Sequence, residues 1–382
     1  MPPSTTQGVS LIDALNRLDD PALPDVDTLF LGNGNDILDH LIGIQQMVRN
    51  RRLFGCPLLP VNAWKGDAIA VGSGPSLMAQ LDTLRSCQDH MLIVAAHSAI
   101  PKLLEHGIVP HMIAPKERDP DMGIIPHKLP DKVIYAGLPC VPVAPDRCKT
   151  AYLVGNCDPL MHWLGFGRQD ISSPSNSGSL AAWVAATVAT GYVYLVGYDM
   201  TMGHYDGFRF PEENPNGTIM CADGVERPSC PVYRMAQNEL SAIAGDKVVI
   251  QTNPKGGVVR GRFGRQDSLK RSDPAGFMVA SLKASPADQF TSQIRRLPDI
   301  FETAEYRCNI ARNIADLNVD TIFGEDRHLG GSMFRTAYIS ASILRRTLKL
   351  SDDDARDMLR ESLLNVFRVL KPVARNLVSE LS

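Results

Sequence analysis

The sequence is short of several features that would announce a function outright. None of its eight cysteines forms a C-x-x-C pair, and they are scattered at Cys56, Cys87, Cys140, Cys148, Cys157, Cys221, Cys230 and Cys308. That usage predicts reduced thiols in a cytoplasmic protein rather than a disulfide framework. Cys140, Cys148 and Cys157 with a histidine have the ligand types of a zinc site, but their spacing matches no compact knuckle. The first thirty residues carry Asp and Pro instead of the apolar core of a signal peptide, and no run reaches the ~18 apolar residues of a membrane span. Net charge is only −3, so no global basic field points to nucleic acid or a membrane surface. Aromatic residues make up only 6 % of the chain, which disfavours a site built on ring stacking, although Trp163, Phe166 and Tyr198 lie near the expected ligand edge.

What is present is the run Ala68-Ile-Ala-Val-Gly-Ser-Gly-Pro-Ser-Leu77. An apolar strand ends in a glycine turn and opens into a helix, the grammar of a loop whose backbone N–H groups meet a phosphate. A dinucleotide fingerprint would need a third glycine where Leu77 stands and an acid after the second strand, which ends Ala95-Ala-His97. A phosphate loop of the Gly-Lys-Ser/Thr kind is missing too. NAD, FAD and P-loop readings therefore weaken. A structural Gly-Pro turn without ligand is the plain alternative.

Short apolar runs at Ile69 to Val71, Met91 to Ala95, His111 to Ala114, Val133 to Ala136, Tyr152 to Val154, Val193 to Val196 and Val248 to Gln251 predict strands. Helical stretches alternate with them at Ser76 to Cys87, Ser98 to His106 and Gly178 to Thr190. The expected fold is α/β, a Rossmann-like doubly wound, mostly parallel sheet. An N-terminal prelude over 1–60, with a helix around Ile37 to Arg51, precedes the nucleotide-binding domain at 61–285. A C-terminal helical region over 286–382 follows, its clearest amphipathic stretch Asp352 to Val373, which packs on the core or mediates homo-oligomerisation. Gly203 to Pro231, rich in Gly, Pro, Asn and Asp, reads as a long loop of the kind that serves as a lid.

Candidate chemistry gathers at the carboxyl ends of these strands. Glu117 and Arg118 follow the third strand and suit a phosphate, a hydroxyl or a metal; a solvated loop with local salt bridges is the alternative. Asn176, Ser177, Gly178 and Ser179 open the Ala-rich helix with anion-binding or merely capping side chains. Tyr198 and Asp199 end a strand, and His204 follows, a residue type suited to general-base work. Gly256 and Gly257 permit close backbone approach to a ligand or a tight turn. Arg260, Arg262, Arg265, Lys270 and Arg271 form a local basic patch, either a solvated loop or a clamp for an anionic substrate.

Taken in order, Gly72-Ser-Gly-Pro-Ser-Leu77, Glu117-Arg118, Ser177-Gly-Ser179, Gly197-Tyr-Asp-Met200 with His204, and Lys255-Gly-Gly257 resemble the motility-associated factor glycosyltransferases. Those enzymes share a domain with 6-hydroxymethylpterin diphosphokinase. The resemblance covers about Asp67 to Gly261. It implies a nucleotide-binding transferase that moves a nonulosonic acid from a CMP-activated donor to a hydroxyl acceptor on a protein or small molecule, with no obligatory metal. Gly72, Ser73, Gly74, Pro75 and Ser76 would meet the donor phosphate or ribose, and Ser177 to Ser179 the nucleotide or sugar. Asp199 would orient the site and His204 would deprotonate the acceptor. The chain departs from the family where Gly203-His-Tyr replaces a Thr-His-Ala run, and where Pro115-Lys-Glu-Arg ends the third strand. The alternatives are an ATP-dependent diphosphokinase, with Mg²⁺ on Asp119, Asp121 and Asp199, and a non-catalytic nucleotide-binding protein.

Overall fold

The computed structural model describes residues 37–54, 59–116, 129–130, 133–143, 150–153, 164, 166, 176–202, 217–243, 249–259, 262–263, 304–318 and 351–381. By contacts the chain divides into two units. One takes residues 56–154 and 169–294; the other takes 1–55, 155–168 and 295–382.

The first unit is built on an eight-stranded sheet. Its strands are β1 (Ala68–Val71), β2 (Leu92–Ala96), β3 (Met112–Ala114), β4 (Ile134–Gly137), β5 (Thr150–Leu153), β6 (Val193–Val196), β9 (Val249–Gln251) and β10 (Arg262–Phe263). Their order is β10-β9-β6-β1-β2-β3-β4-β5, and every pairing is parallel. All residues of β1, β2, β3, β4, β6 and β9 are buried. Near-continuous apolar runs such as Leu92-Ile-Val-Ala-Ala96 follow from that, because helices cover both faces of a parallel sheet.

From β1 the chain winds outward to β5, then returns to lay β6 on the other side of β1. Strand order thus reverses between β1 and β6, the switch point where doubly wound sheets leave a crevice at the carboxyl ends. The return runs through α4 (Ser177–Val188), which packs on β1, β2 and β3. Its alanines Ala181, Ala182, Ala185 and Ala186 are buried, so the helix axis lies close to the sheet. Before it come α1 (Ile37–Phe54) in the other unit, and α2 (Leu81–Cys87) and α3 (Ile100–Glu105) in the sheet unit; α5 (Pro231–Ile243) packs on α4.

The expected strands all form, with ends displaced by one or two residues. Two helices differ. Pro75–Gln80 and His97–Ala99 are 3₁₀ turns that run into α2 and α3. The reason at Pro75 lies far along the chain: the Ser76 N–H is taken by the Asp199 side chain, 2.9 Å away. The loop expected over Gly203 to Pro231 contains an antiparallel hairpin, β7 (Thr218–Met220) with β8 (Glu226–Pro228), turning through Gly224 at φ +79°. Residues 203–216 of that segment lie outside the described residues.

The second unit joins one early helix to two late ones. α6 (Ala304–Ala315) and α7 (Asp352–Leu381) pack on one another, and α7 also packs on α1. The 3-4-3 spacing of Phe367, Leu370, Ala374 and Leu377 puts the buried side of α7 on one stripe, while α6 buries Cys308, Ala311 and Ile314. The prelude helix and the tail therefore share one core.

Candidate functional site

Three chain segments meet where the sheet order reverses, and a carboxylate joins them. After β6, Gly197 adopts φ +74°, which turns the chain beside the glycine loop. The two backbones lie against each other: Gly72 N–H donates to Val196 O at 2.8 Å and Gly74 N–H to Gly197 O at 2.9 Å. Asp199 then points back into the loop. Its Oδ2 accepts from Ser76 N–H at 2.9 Å, and its Oδ1 accepts from Asn253 Nδ2. Gly257 N–H donates to the Asp199 carbonyl at 3.0 Å, and Gln251 Nε2 to the Tyr198 carbonyl at 2.9 Å. Asp199 is 2 % exposed, so a charge buried here is held by hydrogen bonds on both oxygens.

This arrangement reassigns the glycines. A Cβ on Gly72 would lie 2.7 Å from Gly197 O, and one on Gly74 would strike Asp199 Oδ2 and lie 2.6 Å from Gly197 O. A Cβ on Gly256 would lie 2.7 Å from Gln251 Nε2 and 2.8 Å from Tyr198 O. These positions are glycine because protein backbone and side chains close on them. Asp199 stands at the start of the Pro75–Gln80 turn where an anion would otherwise sit, and the glycine loop is neutralised from within.

What faces outward is different. Ser73 is exposed, and its Oγ accepts from Ser98 Oγ at 2.7 Å. Asn176, Ser177 and Gly178 are half-buried at the start of α4. There the Asn176 side chain accepts from Ser179 N–H at 2.9 Å, and the first intrahelical bond is Leu180 N–H to Asn176 O. The Ser177 and Gly178 amides come before that bond and have no acceptor within the helix. The hydroxyls of Ser76 and Ser179 are buried, and no protein group lies within hydrogen-bond reach of either. A twelve-residue helix with open amides, a dipole and a buried hydroxyl is a place for an anionic group.

Tyr198 is 6 % exposed, and its hydroxyl donates to Gly178 O at 2.7 Å. Burial pushes its phenol well above the ordinary value, so it remains a neutral donor. It touches the site from behind. Ser98 and Asn253 were absent from the residues singled out by sequence. Ser98 stands two places beyond the end of β2, at the expected ligand edge, whereas the role of Asn253 shows only in its contact with Asp199. Glu117, Arg118 and His204, with Asp119 and Asp121, lie outside the described residues. Among the described residues no group of three His, Cys, Asp or Glu side chains is placed to hold a metal ion, and Cys140 is a buried free thiol.

With the geometry in view, the likenesses to known proteins can be stated. Residues 48–201 match the family described as 6-hydroxymethylpterin diphosphokinase MptE-like. The structure superposes on a MAf glycosyltransferase from Magnetospirillum magneticum AMB-1 with a TM-score of 0.55 at 16 % identity. That match covers 90 % of this chain and 61 % of that one, so this chain spans about three fifths of that protein's length. At such identity the likeness is one of fold. No curated protein matches the sequence. The matched stretch, residues 48–201, carries the glycine loop, the start of α4 and Asp199.

Proposed function

We propose that this chain is a glycosyltransferase-like enzyme that transfers a nonulosonic-acid type sugar from a CMP-activated donor to a hydroxyl acceptor. The observation that carries the reading is the start of α4 at the switch point, where the Ser177 and Gly178 amides remain open and the Ser179 hydroxyl is buried without a partner. One phosphate matches that site; Ser73 and Ser98 offer exposed hydroxyls for a ribose. In the reaction the acceptor oxygen bonds to the anomeric carbon, and His204 takes its proton. The bond to the phosphate oxygen breaks, and CMP leaves with the electron pair while the helix amides meet its growing charge.

A second reading is transfer of pyrophosphate from ATP to a pterin hydroxymethyl group, which the description of the matched family favours. Against it, the Asp199 carboxylate is committed on both oxygens to Ser76 and Asn253, which leaves it poorly placed for Mg²⁺. A thermal-shift panel of CMP, CDP, ATP with Mg²⁺, and a pterin separates the two. CMP is expected to raise the melting temperature, and His204→Ala to cut turnover by about 10²-fold or more while leaving CMP binding intact. Stabilisation by ATP–Mg²⁺ and pterin without CMP overturns the glycosyltransferase reading, and no shift with any nucleotide favours a non-catalytic role.

A further inference from the structure

We propose that Tyr198 is a positioning residue, a wedge and tie that sets the first turn of α4 against the glycine loop and so fixes where the open amides point. The proposal rests on the anion site at α4 taken up above. Three contacts define the wedge. A Cβ on Gly72 would lie 3.3 Å from Tyr198 Cδ2, and one on Gly178 would lie 3.3 Å from Cε1, so the ring lies against both glycines. The hydroxyl donates to Gly178 O at 2.7 Å. The backbone of Tyr198 is fixed from below, where Gln251 Nε2 donates to its carbonyl and Gly197 holds the preceding turn.

The consequence is mechanical. Gly178 is the second residue of α4, and a glycine there leaves the helix start without a Cβ to stiffen it. Asn176 restrains this turn from outside through Ser179 N–H, and Tyr198 restrains it from inside through Gly178 O. Both ties hold one peptide unit, that of Gly178 C=O and Ser179 N–H, and the Gly178 and Ser177 amides belong to the two units just before it, joined to it through the Gly178 backbone. Their direction therefore depends on the phenol, although the phenol is buried behind them. The ring adds to the crowding at both glycines, whose nearest obstacles are Gly197 O at residue 72 and Asn176 Oδ1 at residue 178.

Tyr198→Phe keeps the wedge and removes the tie. A neutral hydrogen bond of about 1 kcal/mol corresponds to a change of about fivefold. Hydrogen exchange at the bonded amides of Ser179 and Leu180, read without ligand, is expected to quicken by about that factor while the amides of β1 and β6 keep their rates. CMP affinity, read by calorimetry, is expected to fall by about fivefold, and the KM for the donor to rise with kcat unchanged. Unchanged exchange at Ser179 and Leu180 overturns the proposal. So does faster exchange with full CMP affinity, which reduces the hydroxyl to a structural tie. If the unaltered protein binds no CMP, the proposed function fails on its own. The exchange experiment then still decides whether Tyr198 holds the helix start.

Discussion

At the scale of single residues, the carboxylate of Asp199 does what a bound anion does in many glycine loops. It receives the Ser76 N–H at the start of a helical turn and adds Asn253 from the loop after β9. An amide at this position would put an NH₂ group against one of two donors. Asp199→Asn is therefore expected to destabilise the fold by about 2 kcal/mol in urea unfolding, the cost of a buried donor left without an acceptor. Gly74→Ala forces a methyl group into the same carboxylate and into Gly197 O, and is expected to cost about as much. Because both changes break one contact, the double variant should lose less than their sum by at least about 0.5 kcal/mol. Strict additivity would show that Gly74 and Asp199 are energetically independent.

At the scale of elements, the hairpin β7–β8 is joined to the loop after β9 by backbone hydrogen bonds. Ala222 N–H donates to Gly256 O at 2.9 Å, Asp223 N–H to Pro254 O at 2.8 Å, and Val258 N–H to Met220 O at 2.9 Å. Its turn is closed by Asp223, which receives Arg227 in fork geometry at 2.6 and 2.5 Å and also accepts from Val225 N–H at 3.1 Å. The Arg227 hydrogen bonds are the main cause that lowers the Asp223 carboxyl from 3.8 to about 2. A carboxylate with a depressed value stabilises the folded hairpin above its unfolded value. That contribution is complete above about pH 4 and is lost as pH falls through about 2. A carboxyl-carbon NMR titration is expected to find Asp223 half-protonated near 2, and Arg227→Ala to move the midpoint up toward 3.8. A wild-type midpoint already at the ordinary value would remove the fork from solution.

At the scale of the whole chain, the two units make separable claims. Every described residue of the candidate site belongs to the sheet unit, whereas α1, α6 and α7 belong to the other. Phe367 on α7 is fully buried in the helical unit. Phe367→Ala is expected to cost about 3–5 kcal/mol there, seen as a lowered transition in calorimetry, with CMP affinity of the sheet unit unchanged. Loss of CMP binding in that variant would show that the site depends on the helical unit.

The sequence by itself determined the alternation of strands and helices, because runs such as Leu92-Ile-Val-Ala-Ala96 are buried on both sheet faces and stand out as short continuous apolar stretches. It also marked the end of β1 and the start of α4 as candidate positions, since glycine turns and small polar caps are local signals. The 3₁₀ winding after Pro75 and the hairpin at 218–228 escaped it, as each is fixed by partners far along the chain: Asp199 for the first, Pro254 and Gly256 for the second. Only the tertiary structure decided which glycines face solvent. Gly72, Gly74 and Gly256 carry no side chain that could reveal their surroundings; the neighbours of the first two lie in the turn after β6, more than a hundred residues away, and those of Gly256 in that turn and in β9. Burial of one carboxylate, Asp199, turned an apparent phosphate cradle into an internal joint and left the start of α4 open.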